Sequence, residues 1–271
     1  MPIHICCACG TSYPDAPTPP SRCPICEDER QFVPRGGQVW TTPEQLAGGH
    51  VNAWRRLETD LFEIHTHPGF GIGQRALLLR TSGGNILWDC ISLLDDATEA
   101  LIRGWGGLRA IAISHPHYYT CMQDWARSFD CPVYLHAADA NWVMRPDPAI
   151  RHWDGETLEI AQGVTLLRLG GHFPGGSVLH WARGADARGA LLSGDIVQVA
   201  ADLSRVSFLW SYPNMMPLAA ATVRRIADTL AAWEFERIYG AFPKRQVTAG
   251  GARAVARSAA RYIELLEGDQ P

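Results

Sequence analysis

Ser114-His115-Pro116-His117-Tyr118-Tyr119-Thr120 lies between an apolar run, residues 110–114, and an amphipathic stretch over 122–129. The first reads as a buried strand and the second as a helix, so both histidines fall on a strand-to-helix loop. Two imidazoles at i and i+2 on such a loop can turn toward one ion, and neutral imidazole is a common metal ligand. The alternative is a surface loop with two solvated imidazoles.

Further along, two segments repeat the arrangement. Gly170-Gly171-His172-Phe173-Pro174-Gly175-Gly176 follows the strand-like run 164–169, and Ser193-Gly194-Asp195 follows the run 190–192. Glycines around His172 permit the backbone turns that bring an imidazole to a strand end. Four ligand-type side chains, His115, His117, His172 and Asp195, therefore leave strand ends on what the pattern predicts to be one edge of a sheet. Other strand-like runs are 61–65, 75–80, 86–89, 133–136, 178–181 and 237–239. Helical periodicity marks 96–104, 137–143, 218–233 and 251–266. Strand and helix alternate, and a layered α/β architecture follows.

A second cluster sits at the N-terminus. Cys6-x-x-Cys9-Gly10 and Cys23-Pro24-x-Cys26 are two C-x-x-C pairs joined by a short loop containing Tyr13, Pro14, Pro17, Pro19 and Pro20. Each pair puts two thiolates on one tight turn, and two such turns supply the four ligands of a tetrahedral site. Unliganded thiols would leave so short a segment without a core. Five of the eight cysteines crowd into the first 26 residues, while Cys90, Cys121 and Cys131 are scattered. That distribution suits metal ligands better than a disulfide framework, with Cys7 the spare thiol.

Composition narrows the partners. A formal net charge of -4 and no run of Lys and Arg leave no basic stripe for nucleic acid or an anionic membrane, so a small-molecule substrate is expected. The N-terminus, Met1-Pro2-Ile3-His4-Ile5-Cys6, has neither the charged start nor the apolar run of a signal peptide, and no stretch approaches the roughly 18 apolar residues of a membrane span. A cytoplasmic location is the expectation.

With these residues in hand, the chain from about residue 50 onward resembles the metallo-β-lactamase superfamily, whose αββα sandwich carries an H-x-H-x-D-H motif, then a lone His, an Asp and a closing His. By position His115 and His117 match the first two histidines, His172 the lone one and Asp195 the acid; Ile86-Leu87-Trp88-Asp89 matches the family's early strand ending in Asp. Tyr119 stands where the motif has Asp, Thr120 where it has its second-site His, and Ala241-Phe242-Pro243 where the closing His is expected. Those are the residues that build the second metal site in dinuclear relatives, and none of the side chains present is a useful ligand. The resemblance therefore implies one metal, zinc, on His115, His117 and His172, with Asp195 as fourth ligand or as partner of bound water.

Residues 5–33, with Cys-Gly in the first knuckle, Cys-Pro in the second and Phe32 soon after, resemble the rubredoxin-like domains appended to rubrerythrins. That resemblance implies iron, whereas the similar zinc ribbons hold zinc, and four sulfurs alone do not choose between them. The expected fold is thus an αββα metallo-β-lactamase-like sandwich with a small four-cysteine domain. Its expected division is a knuckle over 1–35, a connector over 36–60 and the larger domain over 61–271.

The leading functional expectation is a mononuclear zinc hydrolase of a small ester, lactone, thioester or amide, with metal-bound hydroxide as nucleophile. Asp195, Tyr118 and Tyr119 are the candidates to act on the substrate: either phenol can donate to an oxyanion or a leaving group, or can simply form the pocket wall. Trp210 and Tyr212 fall in a segment that either lines a cleft or packs its aromatic rings against the sheet, and the glycine-rich connection at 65–73 is a candidate flap with His67 or Phe70 toward substrate. Two other readings stay open. One is a redox protein with an iron knuckle; the other is a non-catalytic binding protein whose knuckle serves association, including a homo-oligomer.

Overall fold

Strands Ala76–Leu79, Ile86–Trp88 and Ala110–Ala112 are buried at every position, the pattern of strands inside a sheet covered on both faces. They form the middle of a seven-stranded sheet whose order runs Ile150–Trp153, Val133–His136, Ala110–Ala112, Ile86–Trp88, Ala76–Leu79, Leu61–His67, Val51–Glu58. From Val51–Glu58 to Ile86–Trp88 the chain is an antiparallel meander. Beyond it each step is parallel, and two of the crossovers are helices, Asp96–Gly104 and Met122–Phe129. The computed structural model describes residues 1–268, and this sheet belongs to the first of two units, Met1–Trp153.

Local chemistry fixes the helices. Asp95 caps the first, its Oδ1 accepting from Thr98 N at 2.8 Å, with Asp96 and Glu99 in the first turn and Arg103 in the last. Its other oxygen accepts from Asn52 N at 2.7 Å, tying the helix to the edge strand. The second helix buries Met122, Trp125, Ala126 and Phe129 and ends at Asp130, where φ is 49°. A charged pair lies deep in this unit: Glu63 meets Arg75 at 2.5 Å, and the more exposed Arg55 at 2.7 Å.

The N-terminal segment forms its own three-stranded sheet, with His4–Cys6 between Ser12–Tyr13 and Trp40–Thr41. The stretch expected as a connector, with some helix near Pro43 to Ala47, supplies structure to both sides. Trp40–Thr41 completes the knuckle sheet, Pro43–Gly49 is a helix with a Thr42/Gln45 capping box, and Val51–Glu58 edges the large sheet. Its half-exposed sequence, Val-Asn-Ala-Trp-Arg-Arg-Leu-Glu, lacks the apolar run that marks a buried strand.

The second unit starts at Asp154. Its six-stranded sheet runs Thr157–Ala161, Val164–Arg168, Ser177–Trp181, Ala190–Gly194, Arg237–Gly240, Gln246–Val247. All neighbours are antiparallel except Ala190–Gly194 and Arg237–Gly240. Helices Ala220–Ala231 and Gly251–Glu267 cover this unit's core, in which Leu167, Val178 and Ile238 meet Val223, Ile226, Leu230 and Val255. The helix expected over 218–233 is shorter at both ends. Ile150–Trp153 and Thr157–Ala161 have no counterpart among the expected strands, because their outward residues, such as Arg151, His152 and Glu159, break the hydrophobic pattern at the sheet edges. Among the described residues no helix is long and apolar enough to cross a membrane.

Candidate metal centres

The two turns of the knuckle put four buried sulfurs together. Cys6 Sγ lies 3.7 Å from Cys26 Sγ, and Cys9 Sγ 3.7 Å from Cys23 Sγ. Four sulfurs each about 2.3 Å from one ion in a tetrahedron lie about 3.8 Å apart, so these two pairs already have the spacing of a metal-bound cage, and all four sulfurs lie within 4.8 Å of one another. Tyr13 Oη donates to Cys23 Sγ at 3.0 Å and Gln38 Nε2 to Cys6 Sγ at 2.8 Å, bonds that favour thiolate. The Cys26, Cys6 and Cys9 thiols hold Cys23 far below the usual thiol range, while the Cys23 neighbour pushes Cys9 well above it. Sulfurs packed this closely cannot all ionise without a cation among them. The knuckle has a small core of its own, in which Tyr13 and Ile25 pack with the cysteines and Trp40, Trp142 and Met144 close around them.

The histidine pair is positioned from the sheet. Asp89, at the end of Ile86–Trp88, accepts from Ser114 N at 2.8 Å, fixing the chain just after Ala110–Ala112. Ser114 Oγ then hydrogen-bonds His115 Nδ1 at 2.9 Å, which makes Nε2 the candidate ligand atom. A single 3-10 turn, Pro116–Tyr118, carries His117, and the Tyr118 ring stands edge-on to His115 at 4.4 Å. Tyr119 is also buried, and burial followed by the Asp139 charge pushes its pKa well above the usual phenol range. It keeps its proton.

In the second unit His172 Nδ1 lies 2.8 Å from the Trp210 carbonyl. A carbonyl only accepts, so Nδ1 carries the proton and Nε2 the lone pair, the tautomer a metal requires. Gly171 makes this turn possible: its φ is 86°, and a Cβ there would stand 2.8 Å from Leu218 Cδ1. Asp195 follows Ala190–Gly194 directly, and Tyr212 Oη donates to its backbone carbonyl at 2.5 Å. The Tyr212 ring also packs edge-on against His172 at 5.3 Å.

His115, His117, His172 and Asp195 each offer one ligand atom, these atoms all lie within 4.8 Å of one another, and all four residues are buried. Four ligands about 2.1 Å from one ion in a tetrahedron lie about 3.4 Å apart, so the set is near enough to hold a single ion once its side chains draw inward. Among the described residues this group and the four cysteines are the two sets of His, Cys, Asp or Glu with such spacing.

One expectation needs amending. Phe70 packs on Ile5, Leu46, Leu93 and Cys121, and Gly71 stands against the Cys9 backbone, so the connection after Leu61–His67 is pinned to the knuckle. Trp210 lies in a short hairpin, Leu209–Ser211 with Met216–Pro217, lines a cavity with Gly171 and Leu218 as expected, and contributes its carbonyl to His172. Tyr212 packs its ring on His172 and holds the Asp195 backbone, the aromatic packing that stood as the alternative to lining a cleft. Sequence carries no sign of the Trp210 role, because every residue has a carbonyl.

Comparison with known proteins places this geometry. No family model matches the chain. It is 46% identical over 271 residues to the uncharacterized protein YmaE of Bacillus subtilis (strain 168), covering 99% of this chain and 98% of that one. Among solved structures it is similar to the DIM-1 metallo-beta-lactamase (TM-score 0.59, 16% identity, 78% of this chain and 98% of that one). It is also similar to the metallo-beta-lactamase FIM-1 from Pseudomonas aeruginosa in its mono-zinc form (TM-score 0.56, 15% identity, 78% and 96%). A third similar structure is TTHA1623 in a di-iron-bound form (TM-score 0.50, 22% identity, 69% and 94%).

Proposed function

This chain belongs to the family of the Bacillus subtilis protein YmaE and has the metallo-β-lactamase fold, and from that premise we propose that it is a mononuclear metal-dependent hydrolase of a small ester, lactone, thioester or amide. One observation carries the reading: three histidines and one carboxylate, all buried, with ligand atoms within 4.8 Å of one another. An ion held there would supply Lewis acidity toward a carbonyl and toward water.

The chain's own residues have separable tasks. Ser114 and the Trp210 carbonyl orient His115 and His172 through their Nδ1 atoms, which keeps the rings in place before any ion arrives. Asp195 completes the ligand set or holds a proton from water. Tyr118 and Tyr119 offer phenol protons to an oxygen that gains charge, and the raised pKa of Tyr119 keeps its proton at neutral pH.

Zinc is the metal we assign to the histidine centre, a reading supported by three nitrogen ligands and by the mono-zinc form of FIM-1. The four sulfurs suit zinc or iron. All eight cysteines are free, in keeping with a reducing, cytoplasmic setting. The test is turnover of a panel of generic esters, lactones, thioesters and amides by zinc-loaded protein. Hydrolysis that disappears in His117→Ala supports the reading; no turnover on any member by protein with a filled histidine centre counts against it.

The cysteine cage favours a second reading, a redox protein in which knuckle iron passes single electrons. Iron in four thiolates colours the protein as isolated. A colourless preparation with zinc in both centres removes it.

A further inference from the structure

Within the first unit, the loop that carries His115 and His117 is held from outside by the cysteine knuckle. Thr120, two residues after the turn Pro116–Tyr118, has a φ of 37°, a backbone conformation that costs a β-branched residue and persists only where neighbours hold it. The hold is Ser12. Its backbone N donates to the Thr120 carbonyl at 3.0 Å and its Oγ to the same carbonyl at 2.9 Å.

Ser12 sits between two residues that bond the sulfur cage. Thr11, before it, hydrogen-bonds Cys9 Sγ at 3.3 Å, and Tyr13, after it, donates to Cys23 Sγ at 3.0 Å. A second contact lies beside the first: Ser92 Oγ donates to the Gly10 carbonyl at 2.8 Å. The fit there is close, since a Cβ on Gly10 would stand 2.4 Å from Ser92 Oγ. On the other flank a Cβ on Gly71 would stand 3.3 Å from the Cys9 carbonyl carbon. So residues 9–12 touch the chain after Asp89, the loop after His117 and the loop after Leu61–His67.

We propose that the knuckle is a metal-dependent clamp on the histidine loop. A thiophilic divalent ion, zinc or iron, bound by Cys6, Cys9, Cys23 and Cys26 orders residues 9–13, and Ser12 then fixes Thr120 and, through it, the turn that presents His117. Ser12 is a positioning residue. The position it grips is the one where the resemblance to metallo-β-lactamases expects a second-site histidine, so a protein contact stands in place of a second metal. The clamp rests on the Proposed function only in its last consequence, the affinity of the histidine centre; loop order is measured directly.

The test is amide hydrogen exchange on the full chain loaded with zinc, comparing the parent, Cys9→Ser/Cys23→Ser and Ser12→Ala. The clamp predicts that the amides of Tyr118, Tyr119 and Met122 exchange at least about tenfold faster in the double cysteine variant. In Ser12→Ala, which keeps its knuckle ion and covers the case in which the cysteine variant does not fold, they exchange about threefold to fivefold faster. Leu179 and Leu192, in strands of the second unit, keep the parental rate, and Ser12→Thr, which retains the hydroxyl, restores slow exchange. Zinc affinity of the histidine centre, read by competition with a chelator, falls with loop order. Unchanged exchange over 118–122, or acceleration that is equal at Leu179 and Leu192, overturns the proposal. Protein that shows the predicted pattern yet hydrolyses nothing refutes the hydrolase reading and leaves the clamp standing.

Discussion

The two centres have the same number of ligand-type residues and opposite origins. The cysteine cage is assembled by two tight turns between residues 6 and 26, and its sulfurs already stand 3.7 Å apart in pairs. The histidine centre takes its residues from strand ends between His115 and Asp195, three of them set by a contact that belongs to the scaffold: Ser114 on His115, the Trp210 carbonyl on His172, Tyr212 on the Asp195 backbone. A cage of this kind makes its own fold and depends on its ion to do so. A centre of the second kind inherits its shape and offers it to an ion. Metal should therefore be structural in the first and replaceable in the second.

The largest effect expected from that contrast is at the histidine centre's function. His172→Ala should abolish its metal and lower turnover at least about a thousandfold while the cysteine centre stays filled, as read by elemental analysis beside a hydrolysis assay. A loss of metal from both centres would break the contrast. Next comes Cys23→Ser, which removes a ligand and the acceptor of the Tyr13 hydroxyl. Protection of amides over 4–13 should collapse, with a lower unfolding temperature, and Ala110–Ala112 should stay protected.

A smaller effect belongs to Gly171→Ala. The positive φ and the 2.8 Å approach of Leu218 put its cost at about 1–3 kcal/mol, measurable by denaturant unfolding. Zinc affinity should fall at the histidine centre alone. The smallest is Tyr212→Phe, which removes the hydroxyl bond to the Asp195 carbonyl but keeps the ring against His172. Weakening of zinc binding by about fivefold is expected, and a change beyond about a hundredfold would mean that Tyr212 does more than brace the loop.

The same contrast explains what the sequence disclosed. Residue types with a chemical signature were legible: paired cysteines on short turns, and histidines and an acid where apolar runs end. The central strands were legible because burial on both faces leaves an unbroken apolar run, as in Ala76–Leu79. The edge strands Val51–Glu58 and Ile150–Trp153 were not, since water on their outer side admits Arg55, Arg56 and Arg151. Backbone partners were illegible altogether. Trp210 orients His172 with a carbonyl, and Ser12 holds Thr120 through another, groups that every residue possesses. The flap expected around Phe70 turned out to be packed for a related reason: its partners, Ile5, Leu46 and Cys121, are distant in sequence and joined only by the fold.

The most direct test of two centres, each with one ion, is the metal content of the native chain set beside that of His172→Ala. Two tightly bound equivalents per native chain, one of which disappears in the variant, is the predicted result. A third equivalent in the native chain, or a variant whose metal content equals the native value, would contradict it.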